Sequence, residues 1–379
     1  MIKPVPSCKK FTGYKPCYPD HNCWLDGCKD NNPIGTKILI INLDAMGDVL
    51  MTTAQLPALK RKFPQSTIYW LTLKISAPLL FNNQYIDQVF SYDAESLAIL
   101  KEMEFDYVMN VDKSQKACAL TNSLRASNKL GFGLNKDGKI IPLNEGAIYN
   151  YNLGMDDHLK FKVNKRTGQD YLAETFELEY KRDEYILNFT DEEKDFIKNY
   201  RDEAGIDKDE FIVGFNTGCA NLYPNKKMTI EQHINLIEKL LMLKKFKIIL
   251  LGGPEDTERN NEIYSHFEGK IINTPTNLGV RRGACFEEIA NLIITGDSFG
   301  MHLGIALKKF IIVWFGVSCW TEIDLYDRGI KIFQENLFCS PCWRKVCPYN
   351  LECIQMIDLN KIIEGVNSYY ERRNLNVSK

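Results

Sequence analysis

A chain of 379 residues exceeds the usual size of a compact domain, about 100 to 200 residues, so two domains are expected. Apolar residues at 45% and charged residues at 25% are ordinary globular values and exclude wholesale disorder. The net charge of -2, from 47 basic and 49 acidic residues closely interleaved, leaves no electrostatic footprint for nucleic acid.

The stretch from Met1 to Gly13 has no apolar run resembling a signal-peptide core. The most apolar segment, Phe310 to Trp320, falls short of the ~18 to 20 residues of a membrane span. A cytoplasmic protein is expected. Twelve cysteines are many for a reducing compartment, where structural disulfides are disfavoured, and this turns attention to metal binding.

In chain order, Lys37 to Asn42 is a continuous apolar run, the pattern of a central parallel strand buried on both faces. A loop over Leu43 to Gly47 leads into a helix predicted over Asp48 to Phe63, kinked at Pro57. Apolar runs at Thr67 to Leu73, Tyr107 to Val111 and Leu130 to Phe132 alternate with helical patterns such as Glu95 to Met103, the sequence form of a doubly wound α/β domain. From Gly133 to Gly168 the periodicity dissolves, and loops with at most one short element are expected. Helices follow at Gln169 to Leu178, behind a cap at Thr167, and at Asp191 to Ala204, capped by Thr190 or Asp191.

A second α/β series begins with a strand at Phe211 to Phe215. It continues through helix Thr229 to Leu243, strand Phe246 to Leu251, turn Gly252-Gly253-Pro254, strand Lys270 to Ile272 and helix Phe286 to Leu292. A strand ending near Gly296, helix Ser298 to Leu307, strand Phe310 to Phe315 and an amphipathic helix Ile357 to Tyr370 complete it. The expected division is a cysteine-rich extension over 1–35, a first domain over 36–190 and a second over 191–379.

Four loops could carry chemistry. Asp44-Ala45-Met46-Gly47-Asp48 lies at the carboxyl end of the first strand, where open α/β sheets bind ligands. Gly47 permits a tight turn, and Asp48 by residue type alone is a helix cap before it is a base. Neither a dinucleotide fingerprint nor a phosphate loop is present. Thr295 to His302 also joins strand to helix, so Ser298 and the first helical amides suit a phosphate, while a histidine placed like His302 is more commonly a buried, hydrogen-bonded one. Asn216-Thr217-Gly218-Cys219-Ala220 follows the first strand of the second series, ahead of Lys226-Lys227. A lysine beside a diphosphate neutralises charge developing on a leaving nucleotide, although lysine pairs are commonly solvated surface. Gly252-Gly253-Pro254-Glu255 is either a nucleotide-contacting turn or a plain strand exit.

Taken together, these segments resemble glycosyltransferase family nine, the heptosyltransferase class, from Lys37 to Val366. The resemblance is carried by Ala45-Met46-Gly47-Asp48-Val49-Leu50 with Thr52-Thr53 and Pro57, by Lys226 to Ile237, by Leu251-Gly252-Gly253-Pro254, and by Gly296-Asp297-Ser298 with Met301-His302-Leu303. It implies a GT-B fold of two facing Rossmann-like domains, the acceptor held mainly by the first and the nucleotide sugar mainly by the second. It implies inverting transfer, foremost of heptose from ADP-heptose, to a lipopolysaccharide-core or other surface-glycan acceptor. Asp48 matches the family's general base and Lys226 a contact to the donor diphosphate. Gly47, Thr217, Gly218, Gly252, Gly253, Asp297, Ser298, Gly300, Met301 and His302 fall at donor-site positions. No catalytic metal is implied, and a lipid-linked acceptor would bring peripheral contact with the inner face of the membrane. Phe299-Gly300 departs from the family's usual Gly-Pro, which bears on donor identity.

Two cysteine sets remain. Cys339-x2-Cys342-x4-Cys347-x5-Cys353 is compact enough for one knuckle around Zn(II) or iron. The resemblance extends to protein-modifying heptosyltransferases, whose C-terminal region carries cysteine-bound iron and whose acceptor is a protein side chain. Cys8, Cys17, Cys23 and Cys28 are more loosely spaced, among Gly13, Pro16, Pro19 and Gly27, and are the second candidate set for a structural metal. A cysteine-stapled, non-catalytic binding protein on the same scaffold is the competing reading.

Overall fold

The computed structural model describes residues 6–15, 17, 22, 23, 27, 28 and 30–377, with side chains to residue 375. Pro16 and Pro19 of the N-terminal extension lie outside the described residues.

The first series runs β1 (Thr36–Ile41), α1 (Met46–Thr52), α2 (Leu56–Lys62), β2 (Ser66–Thr72), β3 (Gln88–Ser91), α3 (Ala94–Glu102), β4 (Glu104–Asn110), α4 (Gln115–Ser123), β5 (Arg125–Leu134), β6 (Ile140–Pro142), α5 (Ile148–Met155) and α6 (Gly168–Thr175). Its sheet has the order β3-β2-β1-β4-β5-β6, parallel except for β6 against β5. β1 is central, and Ile38 to Ile41 are wholly buried, as an apolar run inside a covered parallel sheet must be. Lys9 ties the extension to this sheet, its ammonium donating to the Ser66 carbonyl at 2.6 Å and to Asp87 at 2.8 Å.

The second series comprises α7 (Asp191–Glu203), β7 (Ile212–Asn216), α8 (Ile230–Met242), β8 (Lys247–Leu251), α9 (Thr257–Ser265), β9 (Ile272–Asn273), α10 (Val280–Ile289), β10 (Leu292–Gly296), α11 (Phe299–Ala306), β11 (Phe310–Trp314), β12 (Gly329–Ile332), α12 (Glu352–Gln355) and α13 (Leu359–Val377). All its strands are parallel, in the order β12-β11-β10-β7-β8-β9. Counted from β7 this is the 3-2-1-4-5-6 order of a dinucleotide-binding sheet, with its switch point between β7 and β10. α7 begins with a reciprocal capping box, Thr190 and Glu193 each bonding the other's backbone amide.

Several elements differ from the sequence reading. The helix predicted over Asp48 to Phe63 is three pieces: α1, a 3-10 turn at Thr53–Gln55, and α2 with Pro57 in its first turn. Proline is tolerated in the first turn of a helix and not in its interior, so the chain restarts there rather than kinking. The stretch 133–168 is more ordered than expected, holding β6, α5 and a π-helical turn at Leu159–Val163. α10 overlaps the predicted Phe286 to Leu292 but begins and ends earlier, at Val280 and Ile289. The sequence pattern does not signal β3, α4, α9 or β12.

By compactness the chain divides into two units. One takes residues to Asp44, Ala54–Asn152 and Gln169–Asp183; the other takes Ala45–Thr53, Leu153–Gly168 and Glu184–Lys379. The division thus follows other lines than residue 190. Ala45–Thr53 joins the second unit because α1 packs on α11 and Met51 lies against Gly168.

Candidate active site

The site assembles in the second unit at the carboxyl ends of β7 and β10 and at the start of α1. Ala45 is extended and caps α1, and Asp48, the third helical residue, turns its carboxylate back to accept the Ala45 amide at 3.3 Å. Asp48 is therefore not the N-cap but lies inside the helix that Ala45 caps; its one long bond leaves most of the carboxylate free, and the residue is exposed.

Opposite it stands α11. Ser298 caps this helix, its carbonyl accepting the amides of Met301 and His302. His302 is 8% exposed, and a Cβ added to Gly47 would fall 2.4 Å from its Cδ2, so only glycine lets α1 approach this ring so closely. On the other side Tyr185 stacks on His302, with centroids 6.0 Å apart and its hydroxyl 3.4 Å from Nδ1. Just ahead of α11, Asp297 accepts a 2.7 Å hydrogen bond from the Lys226 ammonium. Lys226 is itself fixed through its backbone carbonyl, which accepts Trp314 Nε1–H at 2.9 Å.

These groups set one another's charge. Desolvation raises the Asp48 carboxyl above its ordinary value, Asp297 adding to the effect while His302, the Ala45 amide and Lys226 oppose it. Asp48 is exposed at its surface yet ringed by protein, so its carboxylate is poorly hydrated without being sealed off. Burial would also raise Asp297, but the Lys226 ammonium and His302 outweigh it and hold that carboxyl low. Burial depresses His302 against the pull of both aspartates, so its imidazole is neutral at pH 7. One pair is thus locked as ions while a second carboxylate has heightened basicity.

The remaining predicted residues scatter around this centre. Thr217 is fully buried, its hydroxyl donating to Asn260 and its carbonyl accepting from Arg259. Gly218 is forced by Asp256, whose Oδ1 would lie 1.6 Å from an added Cβ, and Asp256 also accepts the Gly253 amide at 3.1 Å. Gly252 packs on the same aspartate. Gly300 faces Asn216, 2.1 Å from a would-be Cβ. Met301 is fully buried. Sequence reasoning missed Tyr185 and Glu287; the latter is a fully enclosed carboxyl whose Oε2 accepts from Asn216 at 3.0 Å. Burial raises Glu287 to about 8 against that hydrogen bond.

Cys339, Cys342, Cys347 and Cys353 line one cavity with Gly316 and Tyr349. Burial raises the Cys353 thiol to about 11, and the other three thiols push the same way. Cys8 is buried, Cys17 exposed, and Cys23 and Cys28 half-buried. Among the described residues no group of three or more His, Cys, Asp or Glu side chains is drawn together tightly enough to hold a metal ion. No helix among them is long and apolar enough to cross a membrane.

The sequence pattern described as glycosyltransferase family 9 (heptosyltransferase) matches residues 97–352. No curated protein sequence is significantly similar to this chain. Among solved structures, a family 9 glycosyl transferase from Veillonella parvula superposes with a TM-score of 0.69 at 18% identity, over 88% of this chain and 96% of that one. The E. coli ADP-heptose lipopolysaccharide heptosyltransferase II gives 0.67 at 16% identity, over 89% of this chain and 100% of that one. TibC of enterotoxigenic E. coli, a dodecameric iron-containing heptosyltransferase solved with ADP-D-β-D-heptose, gives 0.52 at 10% identity, over 89% of this chain and 76% of that one. These likenesses identify the fold as GT-B, in accord with the two Rossmann-like sheets.

Proposed function

From a chain that belongs to glycosyltransferase family 9, the heptosyltransferases, we propose an inverting transferase that moves heptose from ADP-heptose to a lipopolysaccharide-core or other surface-glycan acceptor. The observation that carries this reading is the gathering of Asp48, Lys226, Asp297 and His302 from three separate segments into one electrostatically linked group. The likeness to ADP-heptose-dependent transferases supports the choice of donor.

In this mechanism Asp48 takes the proton of the acceptor hydroxyl as its oxygen attacks the anomeric carbon. The bond from that carbon to the diphosphate breaks on the opposite face, and its electron pair leaves on the phosphate oxygen, so a single displacement inverts the centre. Lys226 and the first amides of α11 oppose the charge that appears there, without a catalytic metal. A carboxylate in the first turn of a helix is ordinarily a weak base, but desolvation has raised Asp48, and a general base works best with a pKa nearer the working pH. Asp297 holds the Lys226 ammonium in place. The first unit binds the acceptor, and the enzyme works in the cytoplasm, touching the inner face of the membrane only through a lipid-linked acceptor.

A second reading changes the acceptor to a protein side chain and gives the cysteine knuckle a structural iron or zinc. It is favoured by the four thiols lining one cavity, a donor set whose chemistry suits a thiophilic ion, although the side chains would have to close further to bind one. Cys339, Cys342, Cys347 and Cys353 would hold the ion, which would cross-link the segment after β11 and take no part in transfer. Cys8, Cys17, Cys23 and Cys28 form the weaker candidate set.

The test is Asp48→Asn assayed with a panel of nucleotide sugars. Transfer from ADP-heptose by the wild-type chain, lost in the variant while donor binding persists, is the expected result. Undiminished transfer would remove Asp48 as the base, and failure of any nucleotide sugar to bind would favour the non-catalytic reading.

A further inference from the structure

The cysteine knuckle sends one aromatic ring back to the site. Trp343, between Cys342 and Arg344, has φ 49°, the left-handed region that a bulky residue adopts only when its surroundings hold it there. Those constraints are specific. The amides of Cys342 and Trp343 both donate to the Val317 carbonyl, at 3.0 and 2.9 Å, and the Asn225 side chain donates to the Arg344 carbonyl at 2.6 Å. Tyr223 meets the indole edge-on at 5.2 Å.

The ring so held lies beside two cations. The Lys226 ammonium is 4.5 Å from its centroid, and that of Lys160, on the π-helical turn, is 5.4 Å away. Like charges gathered on one ring repel, and each here leans on a single carboxylate, Lys226 on Asp297 and Lys160 on Glu322 at 3.4 Å. The indole N–H is buried with no acceptor among the described residues, a state that native structures rarely tolerate without purpose. A π-helical turn is likewise rare and concentrates at functional sites. Two ammonium groups close to the ring and an unpaired N–H on its edge have the chemistry of a site for an anion with several oxygens.

We propose that Lys160 and Trp343 complete the diphosphate grip of the donor site. Lys160 supplies a second cation beside Lys226, and the Trp343 indole donates a hydrogen bond from its edge, so that a nucleoside diphosphate is held between the two ammonium groups and discriminated from a monophosphate. This rests on the donor-site reading above and extends it to two residues outside the family's motifs. It also gives the knuckle a task, since its backbone is what places Trp343.

Calorimetric titration of the full chain with inorganic pyrophosphate, ADP and AMP tests the assignment in wild type, Lys160→Gln, Lys160→Arg, Trp343→Phe and Lys226→Gln. Thermal unfolding checks that each variant is folded. Losing one charge-assisted hydrogen bond should weaken pyrophosphate and ADP about tenfold in Lys160→Gln, with AMP affected less and Lys160→Arg recovering most of the loss. Trp343→Phe keeps a ring and loses only the N–H, and should weaken both diphosphates about threefold or more. Affinities within twofold of wild type in both Lys160→Gln and Trp343→Phe, with Lys226→Gln weakened, overturn this inference and leave the donor-site reading standing. Trp343→Phe alone decides if Lys160→Gln does not fold. Unchanged binding in Lys226→Gln overturns the donor-site reading, and a wild-type chain that binds none of the probes overturns both.

Discussion

Gly47 and His302 approach so closely that one methyl group would separate them: a Cβ on Gly47 would lie 2.4 Å from Cδ2 and 3.0 Å from Nε2 of the imidazole. The contact joins the start of α1 to α11 and so sets where Asp48 stands relative to His302 and Asp297. Gly47→Ala must push the histidine or the helix aside. Displacing a reacting group by about 1 Å can cost on the order of 100-fold in rate. We expect kcat to fall by that order while the unfolding temperature changes little, because the neighbouring carboxylate is exposed and the helices can part slightly. A steady-state assay within threefold of wild type would show that the spacing is not critical.

The raised pKa of Asp48 has a kinetic signature. A general base must be unprotonated, so kcat/KM falls as pH drops through its pKa in the free enzyme, and desolvation places that limb above the usual carboxylate range. In Asp48→Asn the limb should disappear together with roughly 100-fold or more of the rate. A pH profile whose acid limb survives in the variant would assign it to another group.

Much of this arrangement was legible in the sequence, and the parts that were not have physical reasons. β1, β7, β10 and β11 announce themselves as unbroken apolar runs because both faces of a parallel sheet are covered. β9 and β12 are short, half-buried edge strands; the sequence pattern signals the first slightly early, at Lys270 to Ile272, and nothing in Gly329–Ile332 distinguishes the second from loop. The loops holding Asp48, Lys226 and Asp297 were found through their strand-exit positions and family motifs. Tyr185 and Trp343 were not, because each reaches the site from a segment with no periodic pattern, and a lone aromatic there reads as packing. Glu287 was hidden differently: a glutamate inside a helical pattern is expected on the solvated face, and only the fold reveals that it faces inward.

Lys226 and Asp297 form an ion pair with side chains 12% and 11% exposed, so removing one partner strands the other. Lys226→Met should destabilise the second unit by about 3 kcal/mol, the low end for breaking a buried pair, since some water contact remains. Lys226→Met with Asp297→Leu should recover most of that loss. The pH dependence has a definite sign. Asp297 is held below its unfolded value by Lys226, so its contribution is present above the ordinary carboxylate pKa and is lost as pH falls through the folded one. The difference between wild type and Lys226→Met should therefore be greatest near neutrality and shrink in acid. Denaturant titrations at several pH values measure it, and a constant difference would refute the coupling.

The knuckle reading predicts about one equivalent of iron or zinc in the purified protein, as the tetrahedral capacity of four thiolates allows. Cys347→Ser should lose that metal and, because the knuckle positions Trp343, should also weaken ADP binding. Elemental analysis beside calorimetry checks both. Metal-free wild-type protein that binds ADP with full affinity would leave the thiols a packing role alone.

Glu287 offers a prediction independent of ligand and metal. The folded chain encloses its carboxyl and raises it from 4.5 to about 8, with Asn216 donating to one oxygen and Gly304 packed near the other. Between those two values the folded protein keeps a proton that the unfolded chain releases, so each rise in pH favours unfolding. The contribution is intact below about pH 4.5, erodes through neutrality, and is fully lost above about pH 8, a span worth on the order of a few kcal/mol. Glu287→Gln preserves the shape and the acceptor oxygen for Asn216 while removing the ionisation. Its unfolding temperature should match wild type near pH 5 and exceed it increasingly towards pH 8, and curves that stay parallel across that range would mean that the carboxyl ionises freely in the folded state.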